Sequence, residues 1–117
     1  MEITKIEKNS VIVLNLSGRI DLSSGAGLKE EIKTLIGQKQ NQIHLNLADV
    51  DFINSSGLGV LVSIMKEIRQ NKGRLTLSNL ASYVNEIFEI TQLSHIFEIF
   101  TSEEEAMTSY QSVSAGL

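Results

Sequence analysis

No cysteine and no proline occur among the 117 residues. The first absence excludes disulfides and thiolate metal sites, and it suits a reducing cytoplasm. The second fits a chain without a proline-rich linker, and no low-complexity run is present either. Long apolar runs are also missing, and none approaches the ~18 residues of a membrane-spanning helix. Basic clusters are missing too: the ten Lys and Arg residues are scattered and outnumbered by 14 acidic ones, for a net charge of −4. A nucleic-acid surface would show a basic patch or stripe, so neither nucleic acid nor an anionic membrane is an expected partner. The start Met1-Glu2-Ile3-Thr4-Lys5 lacks the basic and apolar segments of a signal peptide, so a cytoplasmic location is expected.

What is present is enough apolar material for a core: 42% hydrophobic against 21% charged residues. This predicts one domain over residues 1–117, with an ordered core over about 2–111. Ile3–Glu7 and Val11–Leu16 read as a β-hairpin around Lys8-Asn9-Ser10. Gly18 then interrupts the pattern. From Ser24 to about Lys39, Leu28, Ile32, Leu35 and Ile36 recur at helical spacing. Ile43–Leu47 alternates apolar and polar residues as a half-buried strand does.

A second amphipathic helix is predicted from Ser56 to about Asn71, with Leu58, Leu61, Val62, Met65 and Ile68 on one face and Gly73 just past its end. Leu75–Leu77 and Ile96–Phe100 read as strands, with a short helix over Ala81–Ile90 between them. Ser102 to Glu105 is a capping-box signature that opens a last helix with Ala106, Met107 and Tyr110. Residues 112–117 are expected to fray. The predicted order is ββαβαβαβα, an α/β fold with a mostly parallel sheet of about five strands, an antiparallel N-terminal strand and about four helices.

Two similar stretches, Ser23-Ser24-Gly25-Ala26-Gly27 and Asn54-Ser55-Ser56-Gly57-Leu58-Gly59, follow the second and third strands. If those strands are neighbours, both stretches lie on one side of the molecule, beyond the strands' carboxyl ends. Gly57-Leu58-Gly59-Val60-Leu61-Val62 echoes a dinucleotide fingerprint, but its third glycine is a valine and it follows the third strand, not the first. No P-loop occurs. His44 and His95 are far apart and lack ligand-like spacing, and neither is placed to serve a Ser-His-Asp site. His44 reads as a partly exposed structural residue. No catalytic residue, metal site or cofactor is predicted, and the chain does not read as an enzyme. Two readings remain for Ser55-Ser56: a helix cap, or a hydroxyl exposed to a kinase, whose phosphate would meet free N–H groups and the positive helix end.

Phe52-Ile53-Asn54-Ser55-Ser56-Gly57-Leu58-Gly59 leading into a helix resembles the STAS domain family, specifically the stand-alone bacterial anti-sigma factor antagonists. Gly18-Arg19-Ile20-Asp21, Leu93-Ser94-His95-Ile96-Phe97-Glu98-Ile99 and Ser102-Glu103-Glu104-Glu105-Ala106 add to the likeness, which spans about residues 2–110. It implies a protein of partner switching and transcription regulation. Such a protein binds an anti-sigma factor that is also a serine kinase, and so releases a sigma factor. Phosphorylation of Ser55 would switch it off, with Ser56 a secondary candidate, and a serine phosphatase would reset it.

By the same resemblance, Asp21 corresponds to the acidic residue beside the phosphorylation loop. Asn54 stands where the commoner family pattern has Asp: it keeps the shape and loses the charge. The expected switch loop and partner surface comprise Asp21, Asn54, Ser56, Gly57, Leu58, Val60 and Ile64, the last two forming an i, i+4 apolar pair. The alternative is a non-switching STAS subunit of a lipid-transport or stress-signalling complex.

Overall fold

In the computed structural model, which describes the backbone of residues 1–115 and side chains through Gln111, the elements run β1 (Glu2–Lys8), β2 (Val11–Ile20), α1 (Leu22–Gly37), β3 (Gln42–Ile53), α2 (Ser55–Gln70), β4 (Arg74–Ser78), α3 (Ser82–Ile90), β5 (Glu98–Phe100) and α4 (Glu103–Ala115). A single 3-10 turn, Leu93–His95, precedes β5. The order is the one the hydrophobic periodicity predicts. The backbone of α4 continues to Ala115, and the rest of the expected frayed end lies outside the described residues.

The five strands lie in sequence order, β1-β2-β3-β4-β5, with β1 antiparallel to β2 and every other pair parallel. Because the order never reverses, crossovers of one hand put α1, α2 and α3 on the same face of the sheet. The main core lies there, where Ile12, Leu14, Leu16, Ile43, Leu45, Leu47, Leu75 and Leu77 meet Leu28, Ile32 and Leu35 of α1 and Leu61, Ile64 and Ile68 of α2. Such a topology has no switch point and so forms no crevice between oppositely wound halves, where α/β folds hold dinucleotides. The last helix, α4, covers part of the other face, burying Ala106 and Tyr110.

Two strands run further than their patterns predict. β2 continues through Gly18, which adopts φ +104°, and β3 is one strand of twelve residues rather than a short one followed by a loop. The irregularities sit in the pairing, with register shifts between Asn15 and Ser17 and between Gly18 and Arg19. Such shifts re-aim side chains without ending a strand, so local periodicity reads as a break. β5 is shorter than predicted because the N–H groups of Ile96 and Phe97 both donate back to the Leu93 carbonyl of the preceding 3-10 turn rather than to the sheet. After α2, the left-handed residue is Lys72 at φ +61°, not Gly73. Gly73 is needed for contact instead: a Cβ there would lie 2.2 Å from the Asn41 carbonyl oxygen.

Candidate functional site

β2 and β3 end side by side, with Ile20 paired to Ile53, and each passes directly into a helix. The two helices start alike. Asp21 caps α1: its Oδ1 accepts the Ser24 N–H at 3.0 Å, and its own N–H donates to Ser24 Oγ at 3.0 Å, a complete capping box. Asn54 caps α2, its Oδ1 accepting the Gly57 N–H at 2.9 Å. The two starts are joined by the Asn54 N–H donating to the Ile20 carbonyl at 3.4 Å.

Close packing holds this pair of helix starts in place. A Cβ on Gly57 would lie 2.1 Å from the Ile20 carbonyl oxygen, and one on Gly25 would lie 2.6 Å from Val60 Cγ2. Real Cβ atoms essentially never come within 3.0 Å of such neighbours. The first glycine of each Ser-Ser-Gly-x-Gly stretch therefore lets a helix press against what lies behind it. The second glycines, Gly27 and Gly59, face open space.

Aligning the stretches by their caps changes what corresponds to what. Asp21 matches Asn54, so Leu22 matches Ser55 at the first helical position and Ser23 matches Ser56. Ser55 and Ser56 are exposed, and among the described residues neither hydroxyl makes a hydrogen bond. Leu22 is exposed as well, at 71%. The cap expected of Ser56 is supplied by Asn54, because an Asn side chain reaches the N–H three residues on and leaves both serines inside the first turn.

Electrostatically the neighbourhood is sparse. The first turn of α2 has no acidic residue. The Ser24 N–H donated to Asp21 holds that carboxyl below the ordinary carboxylate range, so it is charged at neutral pH. Arg19 lies 4.0 Å from Asp21 Oδ2 and stacks over the Phe52 ring at 3.9 Å from its centroid.

The structure thus brings Asp21, Asn54, Ser55 and Ser56 together at one surface, with Gly57 and Leu58 buried directly beneath. It overturns the expectation for Val60 and Ile64, which are 4% and 1% exposed. Val60 sits against Gly25 of α1 and Ile64 lies in the main core, so neither forms a partner surface. A helix wedged between a second helix and a sheet buries a wider face than a single apolar stripe.

Sequence reading also misplaces His44. It is fully buried on the α4 side of the sheet, its Nδ1 2.7 Å from Thr76 Oγ1 and its Nε2 2.7 Å from Ser78 Oγ. Thr76 Oγ1 lies 3.1 Å from the Tyr110 hydroxyl, which donates to the Ile43 carbonyl at 3.0 Å. Burial lowers the His44 pKa to about 4, so the ring is neutral at physiological pH. The available signal was weak: His44 and Thr76 pair across β3 and β4, but only α4 closes over them. This network anchors α4 and is remote from Ser55. His95 is exposed on the 3-10 turn.

Comparison with known proteins matches this architecture to one family. Residues 2–106 match the STAS domain model. The anti-sigma-B factor antagonist of Bacillus subtilis is 34% identical over 93 residues, covering 80% of this chain and 84% of its own. Among solved structures, a Thermotoga maritima protein superposes with a TM-score of 0.85 at 26% identity over 92% of both chains. The anti-sigma factor antagonist SpoIIAA in its unphosphorylated form gives 0.73 at 24% identity over 94% of this chain and 98% of its own. Its phosphorylated form gives 0.72 over 93% and 99%. The chain belongs to the STAS domain family, and its named relatives are anti-sigma factor antagonists.

Proposed function

We propose that this protein is an anti-sigma factor antagonist. It binds an anti-sigma factor that is also a serine kinase, and so frees a sigma factor for transcription. Phosphorylation of Ser55 ends the association and a serine phosphatase restores it. The observation that supports this reading most directly is the Ser55 hydroxyl, exposed at the first position of α2 and free of any hydrogen bond among the described residues. In the transfer, Ser55 Oγ attacks the γ-phosphorus of the kinase's ATP, the bond to ADP breaks, and the hydroxyl proton passes to a base on the kinase. The new group adds about −1.5 to −2 charges at neutral pH. On an exposed surface whose helix start is already capped by Asn54, that charge acts by repelling the partner rather than by refolding the loop. The antagonist acts as a binding protein of the cytoplasm and needs no cofactor of its own.

The reading is tested by incubating the protein with its cognate anti-sigma kinase and ATP, then mapping the product by mass spectrometry. One phosphate on Ser55, lost in Ser55→Ala, is expected, and Ser55→Asp should weaken kinase binding. Equal labelling of Ser55→Ala would refute the assignment. A Ser55→Asp variant that binds its partner as well as the wild type would instead favour the non-switching subunit.

A further inference from the structure

The face of the sheet opposite α1, α2 and α3 is partly covered by α4, and that covering is polar. Among the described side chains of α4 only Ala106 and Tyr110 are buried, and neither belongs to the main hydrophobic core. Hydrogen bonds hold the helix instead. Glu103 pairs with Lys8 and accepts from Asn46 Nδ2 at 3.0 Å, Ser109 Oγ accepts from Arg74 at 3.0 Å, and the Tyr110 hydroxyl donates to the Ile43 carbonyl. Beneath α4 lie the buried polar residues His44, Thr76 and Ser78, and Arg74 Nη1 is buried without a hydrogen-bond partner among the described residues. A cleft lined by Lys8, Asn9, Val11, Met107 and Tyr110 runs between α4 and the β1–β2 hairpin. We propose that α4 is an acid-released strap: it leaves the sheet as a unit while the five strands and α1–α3 stay folded, and protonation of the uncovered His44 holds it open. Nothing in this device depends on Ser55.

Hydrogen bonds exchanged for bonds to water contribute little net stability, whereas apolar burial contributes most of it. The described residues of α4 add nothing to the main core, so that core stays intact when the helix leaves. Departure also returns His44, Thr76, Ser78 and Arg74 Nη1 to water and removes the cost of their desolvation. A free helix of 13 residues is marginal in water, so α4 loses its backbone bonds once released. The groups that face His44 decide how acid acts. Burial lowers its pKa to about 4, with Glu103 on α4 favouring protonation and Lys8 on β1 opposing it. Burial pushes Tyr110 on α4 up to about 12. A hydrogen bond from Arg74 on β4 holds Glu98 on β5 below the ordinary carboxylate range. Burial raises Glu103, but Lys8 and Asn46 outweigh it and hold that carboxyl low as well. From β2 the facing residue is the uncharged Val13. Between pH 7 and pH 5, then, His44 is the member of this group whose charge changes on release. Uncovered, it returns to its ordinary value near 6.5 and takes up a proton that the closed helix excludes, so acid draws the strap open.

Native-state hydrogen exchange, read residue by residue by NMR, tests the strap on the full chain. Each amide's rate is divided by its unprotected rate at the same pH, which gives an opening constant for that site. The amides of Met107–Gln111 in α4 should share one constant, at least about 100-fold above those of Ile43–Leu47, which β2 and β4 hold from both sides. From pH 7 to pH 5 the α4 constant should rise about 20-fold, the ratio set by His44 at about 4 closed and near 6.5 open. In His44→Gln, whose amide cannot titrate, the same change of pH should move it by less than about 3-fold. Protection of α4 equal to that of β3 would overturn the strap, and so would a wild-type constant that is flat with pH. A His44→Gln protein that opens with acid as steeply as the wild type would remove His44 as the trigger. The two wild-type measurements stand alone if that variant does not fold.

Discussion

Replacing Gly57 by alanine adds one methyl group at the point where α2 meets the end of β2. That Cβ would sit 2.1 Å from the Ile20 carbonyl oxygen and 2.8 Å from its carbon. The neighbour is backbone within a paired strand, so no side chain can swing away, and the start of α2 must move by about 1 Å. Overpacking of this kind costs about 1–3 kcal/mol. Distorting the Asn54 cap adds about 1 kcal/mol, while the better helix propensity of alanine returns up to about 1 kcal/mol. The net loss is about 2 kcal/mol, or about 8 °C in melting temperature for a domain of this size.

Gly59, two residues on, provides the control: it is exposed in the same helix, and a Cβ added there would meet nothing within 4 Å. Gly59→Ala should keep the propensity gain and raise the melting temperature by about 2–4 °C. Thermal denaturation of both variants, followed by circular dichroism, separates them by about 10 °C. A Gly57→Ala protein that melts at or above the wild type, or a Gly59→Ala protein as damaged as Gly57→Ala, would refute the claim that the first glycine sets the seat of the helix.

Gly25→Ala should be destabilising by about 1–3 kcal/mol through its contact with Val60. Adding Val60→Ala should recover part of that loss, so a urea-denaturation cycle in which the two effects simply add would contradict the contact. His44 gives a pH signature. Its folded pKa of about 4 lies below the ordinary 6.5, so the unfolded chain binds the extra proton first, and stability falls as pH drops from about 6.5 to 4. The loss approaches about 3 kcal/mol, measured by urea denaturation across pH. In His44→Asn that part of the dependence should disappear, and an unchanged profile would exclude His44 as its source.

The order of elements was legible because each rests on local periodicity: alternation in Ile43–Leu47, and helical spacing in Leu28–Ile36 and Leu58–Ile68. The candidate site was legible as a short string, Asn54 to Gly59, at the end of a strand. Its internal assignments were not. Which residue caps α2 depends on where the helix begins, and that is set by Gly57 pressing on Ile20, a contact 37 positions apart in sequence. A cap argument from the string alone gave the role to serine, and the geometry gives it to Asn54. The exposure of Val60 and Ile64 was likewise undecidable locally, because α1 covers one side of α2 and the sheet covers another.

By itself, then, the sequence determined the alternation of strands and helices, the apolar faces and the placing of two Ser-Ser-Gly turns at strand ends, since these follow from short-range spacing and turn chemistry. Only the tertiary structure decided that the two turns adjoin, that Asp21 and Asn54 are twin caps, that Ser55 stands where Leu22 stands on the neighbouring helix, and that His44 is sealed beneath α4. Those facts depend on strand register and on helices pressed together through residues far apart in the chain, which no window of neighbouring residues contains.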